Sequence, residues 1–133
     1  MIESVFVDTS AFYAMVNKGE VHHRKIAEFI KNNKCLLVTT NLIFAETISL
    51  ITKRLGKNVA ADFGSGLRKS EMLNIYYLSE DYQKEAWDLF ARYKDKDFDY
   101  IDATCFTFMK KMDISKVLSF DRHFKQMNFE VLP

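Results

Sequence analysis

The sequence predicts one α/β domain over residues 1–133, with a central, mainly parallel sheet of four to five strands and helices on both faces. Three observations point there. Short runs of β-branched and aromatic residues alternate with longer stretches of helical periodicity, the pattern that parallel strands joined by helical crossovers produce. Clusters of Asp, Thr, Ser and Asn follow several of the runs directly, as helix N-caps do. A chain of 133 residues with 48% hydrophobic and 28% charged side chains has the size and balance of a single globular core.

The first strand is expected over residues 2–7, stopping at Asp8-Thr9-Ser10, a capping cluster ahead of a helix that starts at Ala11. A second helix covers roughly residues 22–33, with Ile26, Phe29 and Ile30 on one face. Residues 35–38 make a short buried strand. Thr39-Thr40-Asn41 then caps a helix over residues 42–55, which runs without Pro or Gly until Gly56, a residue suited to end it. Residues 58–70 continue as a helix although Gly64 and Gly66 lower its propensity. A strand over 73–78 leads to Ser79-Glu80-Asp81, which opens a helix burying Ala86, Leu89, Phe90 and Tyr93. After a charged loop at 94–97 come a helix over 102–112, a strand over 116–120 ending in Asp121, and a closing strand over 129–132. No internal repeat or linker interrupts this order.

Several function classes are excluded or weakened. Apolar runs such as Val5-Phe6-Val7 and Leu36-Leu37-Val38 are far shorter than the ~20 residues needed to span a bilayer, so no membrane segment is expected. The start Met1-Ile2-Glu3-Ser4 lacks the basic and apolar regions of a secretory signal, and the expected compartment is the cytoplasm. Cys35 and Cys105 sit inside apolar segments without partners at metal spacing and read as buried free thiols. A net charge of +1 gives no overall basic footprint of the kind nucleic-acid binders show.

The carboxylates carry the chemistry. In open parallel sheets, ligands bind outside the carboxyl ends of the strands where strand order reverses. Val5-Phe6-Val7-Asp8 and Val117-Leu118-Ser119-Phe120-Asp121 both place an acid at that edge. Asp102, at a helix start, shares a face with Cys105, Phe106 and Met109 and so points inward. Glu46 lies on a narrow polar seam with Ser49 and Lys53, between Leu42 and Leu50. Each has a purely structural reading as well: Asp8 and Asp102 as N-caps, Asp121 as a turn residue, Glu46 as a solvated side chain. Converging carboxylates repel one another unless they are protonated or share a cation. Oxygen donors without imidazole or thiolate suit Mg²⁺ or Mn²⁺. His22, His23 and His123 read as surface or packing residues.

These residues carry a family likeness. Val5-Phe6-Val7-Asp8-Thr9-Ser10-Ala11-Phe12 resembles the opening motif of PIN domains. Asp102-Ala103-Thr104 and Leu118-Ser119-Phe120-Asp121-Arg122-His123-Phe124 resemble their closing motifs, and Glu46 in Asn41-Leu42-Ile43-Phe44-Ala45-Glu46 falls where the family's helical glutamate falls. The resemblance implies a Rossmann-like three-layer PIN fold and an Mg²⁺- or Mn²⁺-dependent ribonuclease with Asp8, Glu46, Asp102 and Asp121 as its acidic, catalytic and metal-holding set. Asp99, where relatives often carry serine, is a candidate fifth ligand, and Ile101 is bulkier than the residue usual before the third acid. The stretch from Phe120 to Phe124 is most similar to the toxin components of bacterial and archaeal toxin–antitoxin pairs. That likeness implies an RNA substrate, an antitoxin partner and a homo-oligomer, expected as a dimer. Asp8, Asp102 and Asp121 are expected to hold the metal directly, with Glu46 holding metal or orienting water.

Taking the four site acids from a net charge of +1 leaves +5 on the rest of the chain. Lys53, Arg54, Lys57, Arg68, Lys69, Arg122 and Lys125 are the candidate phosphate contacts, with Ser10, Arg122 and Lys53 put forward for RNA. Two rivals stand beside this reading. A phosphoacceptor receiver domain needs an acid pair after the first strand and a lysine after a late one, whereas here Thr9 follows Asp8 and Asp121 ends the late strand. A non-catalytic PIN-fold module binding RNA or protein would keep the acids without cleavage.

Overall fold

The computed structural model describes residues 2–133. Its centre is a five-stranded, wholly parallel sheet in the order β3-β2-β1-β4-β5, formed by β1 (Ser4–Val7), β2 (Leu36–Thr40), β3 (Leu73–Tyr76), β4 (Lys116–Leu118) and β5 (Glu130–Leu132). β1 is the middle strand because its Val5, Phe6 and Val7 are apolar without alternation, as a strand covered on both faces requires. Phe6 is paired with Val38 on one side and Val117 on the other. The chain builds outward from β1 to β3, then crosses back to β4, so strand order reverses between β1 and β4. The crevice beyond their carboxyl ends is where such a sheet binds ligands.

Right-handed crossovers send the helices of the two halves to opposite faces. α1 (Thr9–Val16), α2 (His23–Asn32), α3 (Asn41–Leu55) and α4 (Lys57–Lys69) pack in one group; α5 (Glu80–Arg92), α6 (Tyr100–Lys111) and α7 (His123–Gln126) pack in the other. α6 is the most enclosed helix, with every residue from Asp102 to Met109 buried. Its Phe106 lies edge-on to Phe98 and Phe124, each 5.2 Å away between ring centres, and Phe108 packs 5.8 Å from Phe6 of β1. Fully burying one such side chain contributes about 1.5–3 kcal/mol. This aromatic layer fixes α6 against the sheet, and with it the inward acid Asp102.

The elements differ from the sequence expectations mainly at their ends. β4 stops at Leu118, so Ser119 and Phe120 leave the strand before Asp121 is reached. β3 ends at Tyr76, and Leu78 instead donates its N–H to Asn41 Oδ1 at 2.9 Å. α6 starts two residues earlier than the spacing suggests because Asp99, not Asp102, is its N-cap. α7 was not expected from the sequence at all. Gly56 ends α3 at a φ of +98°, a region that favours glycine, and its N–H donates to the Ile51 and Thr52 carbonyls.

The two glycines inside α4 have different causes. A Cβ at Gly64 would stand 2.9 Å from Ile48 Cδ1, so this glycine lets α3 and α4 approach closely. Gly66 faces open space. Gly66→Ala is therefore expected to stabilise the protein by about 0.5–1 kcal/mol, roughly 2–4 °C in melting temperature, which thermal unfolding of the two proteins measures.

Candidate active site

Asp8, Glu46, Asp102 and Asp121 line one cleft of about 610 Å³ at the carboxyl edge of β1 and β4. They arrive from four segments: the β1–α1 junction, the middle of α3, the first turn of α6 and the loop after β4. Asp99 lines the cleft as well.

Asp8 precedes α1 in the N-cap position yet makes no capping hydrogen bond. Its Oδ2 accepts instead from Ser10 Oγ at 3.0 Å and Ser119 Oγ at 2.9 Å. Ser119 is buried and also accepts the Asp121 N–H, while Ser10 Oγ accepts the Phe120 N–H, so the two hydroxyls tie the β4 loop to the β1 end. Burial pushes the Asp8 carboxyl up to about 6, against the lowering effect of the Ser119, Thr9 and Ser10 hydrogen bonds, with Asp121 adding to the rise.

Asp102 and Asp99 form a reciprocal capping box: the Asp102 N–H donates to Asp99 Oδ1 at 2.8 Å and the Asp99 N–H to Asp102 Oδ2 at 3.1 Å. Burial raises the Asp102 carboxyl to about 7; the Asp99 backbone bond opposes this, and the charges of Asp99, Asp121 and Asp8 reinforce it. A helix cap alone requires no carboxyl held this far up. Glu46 Oε1 accepts from Thr9 Oγ1 at 2.5 Å, and Thr9 in turn accepts from Thr47 Oγ1 at 3.4 Å, which holds the glutamate at the cleft. Asp121 does what a turn residue does, its Oδ1 accepting the His123 N–H at 2.9 Å, while also facing the cleft.

Two neighbours were not singled out as site residues by the sequence. Ser119 looked like part of a strand. His123, read as a surface or packing residue, lines the cleft, with its Nδ1 2.7 Å from Asp121 Oδ1 and 3.4 Å from Asp102 Oδ2. The signal for it was the Asp-x-His spacing, since an aspartate turn folds back onto the residue two positions on. Around the rim, His22 stacks on Phe120 with ring centres 4.0 Å apart and planes 4° off parallel, and Arg54 lies 5.1 Å over the Tyr13 ring. All four line the cleft. Arg122 instead pairs with Asp97, and the exposed Lys53 is not among the lining residues. Cys35 and Cys105 are buried and free, and burial raises the Cys105 thiol well above its ordinary value.

Residues 5–130 match the PIN domain family. The chain belongs to that family. Among curated relatives, this PIN domain is 29% identical over 130 residues to the 23S rRNA-specific endonuclease VapC20 of Mycobacterium tuberculosis, covering 97% of this chain and 98% of the relative. It is 28% identical over 126 residues to a VapC ribonuclease of Archaeoglobus fulgidus, covering 91% and 79%. The crystal structure of the M. tuberculosis VapC20, described as a sarcin–ricin loop cleaving toxin, superposes with a TM-score of 0.90 at 28% identity over 97% of this chain and 99% of that one. A toxin–antitoxin complex from Klebsiella pneumoniae shares the fold at a TM-score of 0.68 and 13% identity, covering 97% and 96%.

Among the described residues, no helix of this PIN domain is long and apolar enough to cross a membrane. The donor set of the cleft fits a cation. Oxygen atoms of Asp102 and Asp121 and a ring nitrogen of His123 lie within 4.8 Å of one another, with Asp8 near enough to raise the Asp102 carboxyl. That crowding of anionic oxygen donors is what a divalent cation relieves.

Proposed function

We propose that this PIN domain is an Mg²⁺- or Mn²⁺-dependent endoribonuclease and the toxin of a toxin–antitoxin pair. The observation that carries the reading is the convergence of Asp8, Glu46, Asp102 and Asp121 in one cleft, with Asp8 and Asp102 raised to about 6 and about 7. Buried acids so perturbed mark functional clefts more often than structural ones. The names of the VapC relatives supply the substrate class: RNA, with ribosomal RNA the first to test.

Asp8, Asp102 and Asp121 are the residues that would hold the cation. When bound, a divalent cation supplies Lewis acidity at the phosphodiester and a water acidic enough to attack near neutral pH. Ser10 and Ser119 hold Asp8 in one rotamer, and the Asp99 backbone N–H does the same for the Asp102 carboxylate through the capping box. Asp99 is thereby assigned to positioning. Glu46, braced by Thr9, orients the attacking water. Arg54 at the cleft wall is the cation placed to meet the RNA backbone, whereas Arg122 is engaged by Asp97. The His22–Phe120 pair offers a stacking surface to an unpaired base.

A toxin needs a silencing partner. Val21 is 83% exposed between the cleft residues Glu20 and His22, an apolar handhold for an antitoxin segment that covers the site. A homodimer is part of the same proposal.

Expression of the chain in a bacterial host, followed by primer extension across the host ribosomal RNA, tests the function. The wild type is expected to produce a discrete new RNA 5′ end and Glu46→Gln none. Intact RNA with the wild type, at expression levels confirmed by blotting, contradicts the ribonuclease reading and favours a binding module.

A further inference from the structure

His123 stands among three carboxylates in a way its hydrogen bonds do not explain. Its Nε2 lies 3.0 Å from Asp97 Oδ1, and because a carboxylate only accepts, Nε2 carries the proton and donates. Asp97 is itself fixed from the other side by an ion pair with Arg122. In the neutral ring this leaves Nδ1 with a lone pair and no proton. That nitrogen is buried, faces Asp121 Oδ1 at 2.7 Å and Asp102 Oδ2 at 3.4 Å, and has no hydrogen-bond partner among the described residues because neither contact has hydrogen-bond geometry. A nitrogen lone pair and two carboxylate oxygens turned toward one another repel; a proton on Nδ1 would have no hydrogen-bond geometry toward either oxygen, whereas a metal cation makes all three contacts favourable.

Building on the cation-dependent reading above, we propose that His123 Nδ1 is a ligand of the same cation, oriented by Asp97. The arrangement is a carboxylate–histidine–metal relay. The outer carboxylate takes the far ring proton, fixes the tautomer and makes the near nitrogen a better donor. The Asp121-Arg122-His123 segment builds it locally: the aspartate turn sets the acid and the imidazole on the same side, and Arg122 between them reaches Asp97. A nitrogen in the ligand set shifts preference from Mg²⁺, which favours oxygen donors alone, toward Mn²⁺. His123 is thus a selectivity-determining residue of the cleft.

Pulsed electron paramagnetic resonance of the untagged protein with one equivalent of Mn²⁺ tests this. The wild type is expected to show nitrogen modulation that changes isotope when the protein is prepared with ¹⁵N-histidine, and His123→Asn is expected to lose it. The chain has three histidines. A His22→Gln, His23→Gln double variant, with His123 alone remaining, is therefore expected to retain the coupling and keeps the assignment open to test should His123→Asn fail to fold. Asp97→Ala is expected to weaken Mn²⁺ binding about 10–100-fold and to narrow the Mn²⁺ over Mg²⁺ preference. Bound Mn²⁺ without histidine coupling, or coupling unchanged in a folded His123→Asn, overturns the proposal while leaving the carboxylate site standing. Failure of the wild type to bind Mn²⁺ at all overturns both.

Discussion

Asp8→Asn is expected to slow RNA cleavage by at least ~100-fold and, in the absence of metal, to melt at a higher temperature than the wild type at pH 8. The first effect follows from losing a ligand charge in a site asked for several kcal/mol of transition-state stabilisation, of which about 3 kcal/mol is already a hundredfold in rate. The second follows from burial. The Asp8 carboxyl is raised from 3.8 to about 6, so the folded state binds its proton more tightly than the unfolded chain does. A raised acid contributes stability that is fully present below the unfolded value and is lost as pH climbs through the folded one. At pH 8 the ionised, desolvated Asp8 thus costs the metal-free fold on the order of 3 kcal/mol, and the amide, which still accepts from Ser10 and Ser119, removes that cost. The gain should fade near pH 4, where wild-type Asp8 is protonated. Melting curves of both proteins in chelator at pH 4.5 and pH 8, beside a gel assay of cleavage, check both halves; a variant less stable than wild type at pH 8 would show that Asp8 is a structural residue.

Mn²⁺ is expected to raise the wild-type melting temperature at pH 8 by about 8–10 °C when present at ~100 times its dissociation constant. The stabilisation arises because the folded cleft binds the ion and the unfolded chain does not, which at that excess is about 2.7 kcal/mol. Protons and metal compete for the same oxygens. With Asp8 at about 6 and Asp102 at about 7 in the metal-free state, the shift at a fixed Mn²⁺ concentration should shrink steadily as pH falls from 8 to 5. Asp121→Asn should lose most of it at every pH. A shift of equal size in that variant would place the ion elsewhere.

The sheet was legible because its signal is local. Val5-Phe6-Val7 reads as a doubly covered strand without reference to any other residue, and parallel pairing follows from the helices between the runs. The acids that follow β1 and β4 were legible for the same reason. What each acid does was not. Asp8 sits in a capping position and does not cap, because Ser119, 111 residues away, competes for its carboxylate. Glu46 is ambiguous on a helical wheel and is held at the cleft by Thr9, which only folding brings near. Asp99 and Asp102 exchange capping bonds, which moved the start of α6 and gave Asp99 a partner no propensity scale includes. Lys53 and Arg54 are adjacent on α3 and point ~100° apart, so the docking angle of the helix, absent from the sequence, decides which one lines the cleft.

The most direct test of the central claim is the rate of RNA cleavage by chelator-treated protein as Mn²⁺ is added back, measured on one end-labelled ribosomal RNA hairpin. A cleft in which Asp8, Asp102 and Asp121 share a cation beside Glu46 predicts no cleavage in chelator, a saturable rise to one or a few discrete products with Mn²⁺, and none with Asp8→Asn at the same Mn²⁺ concentrations. Cleavage that proceeds in chelator, or that Asp8→Asn retains at the wild-type rate, would contradict it.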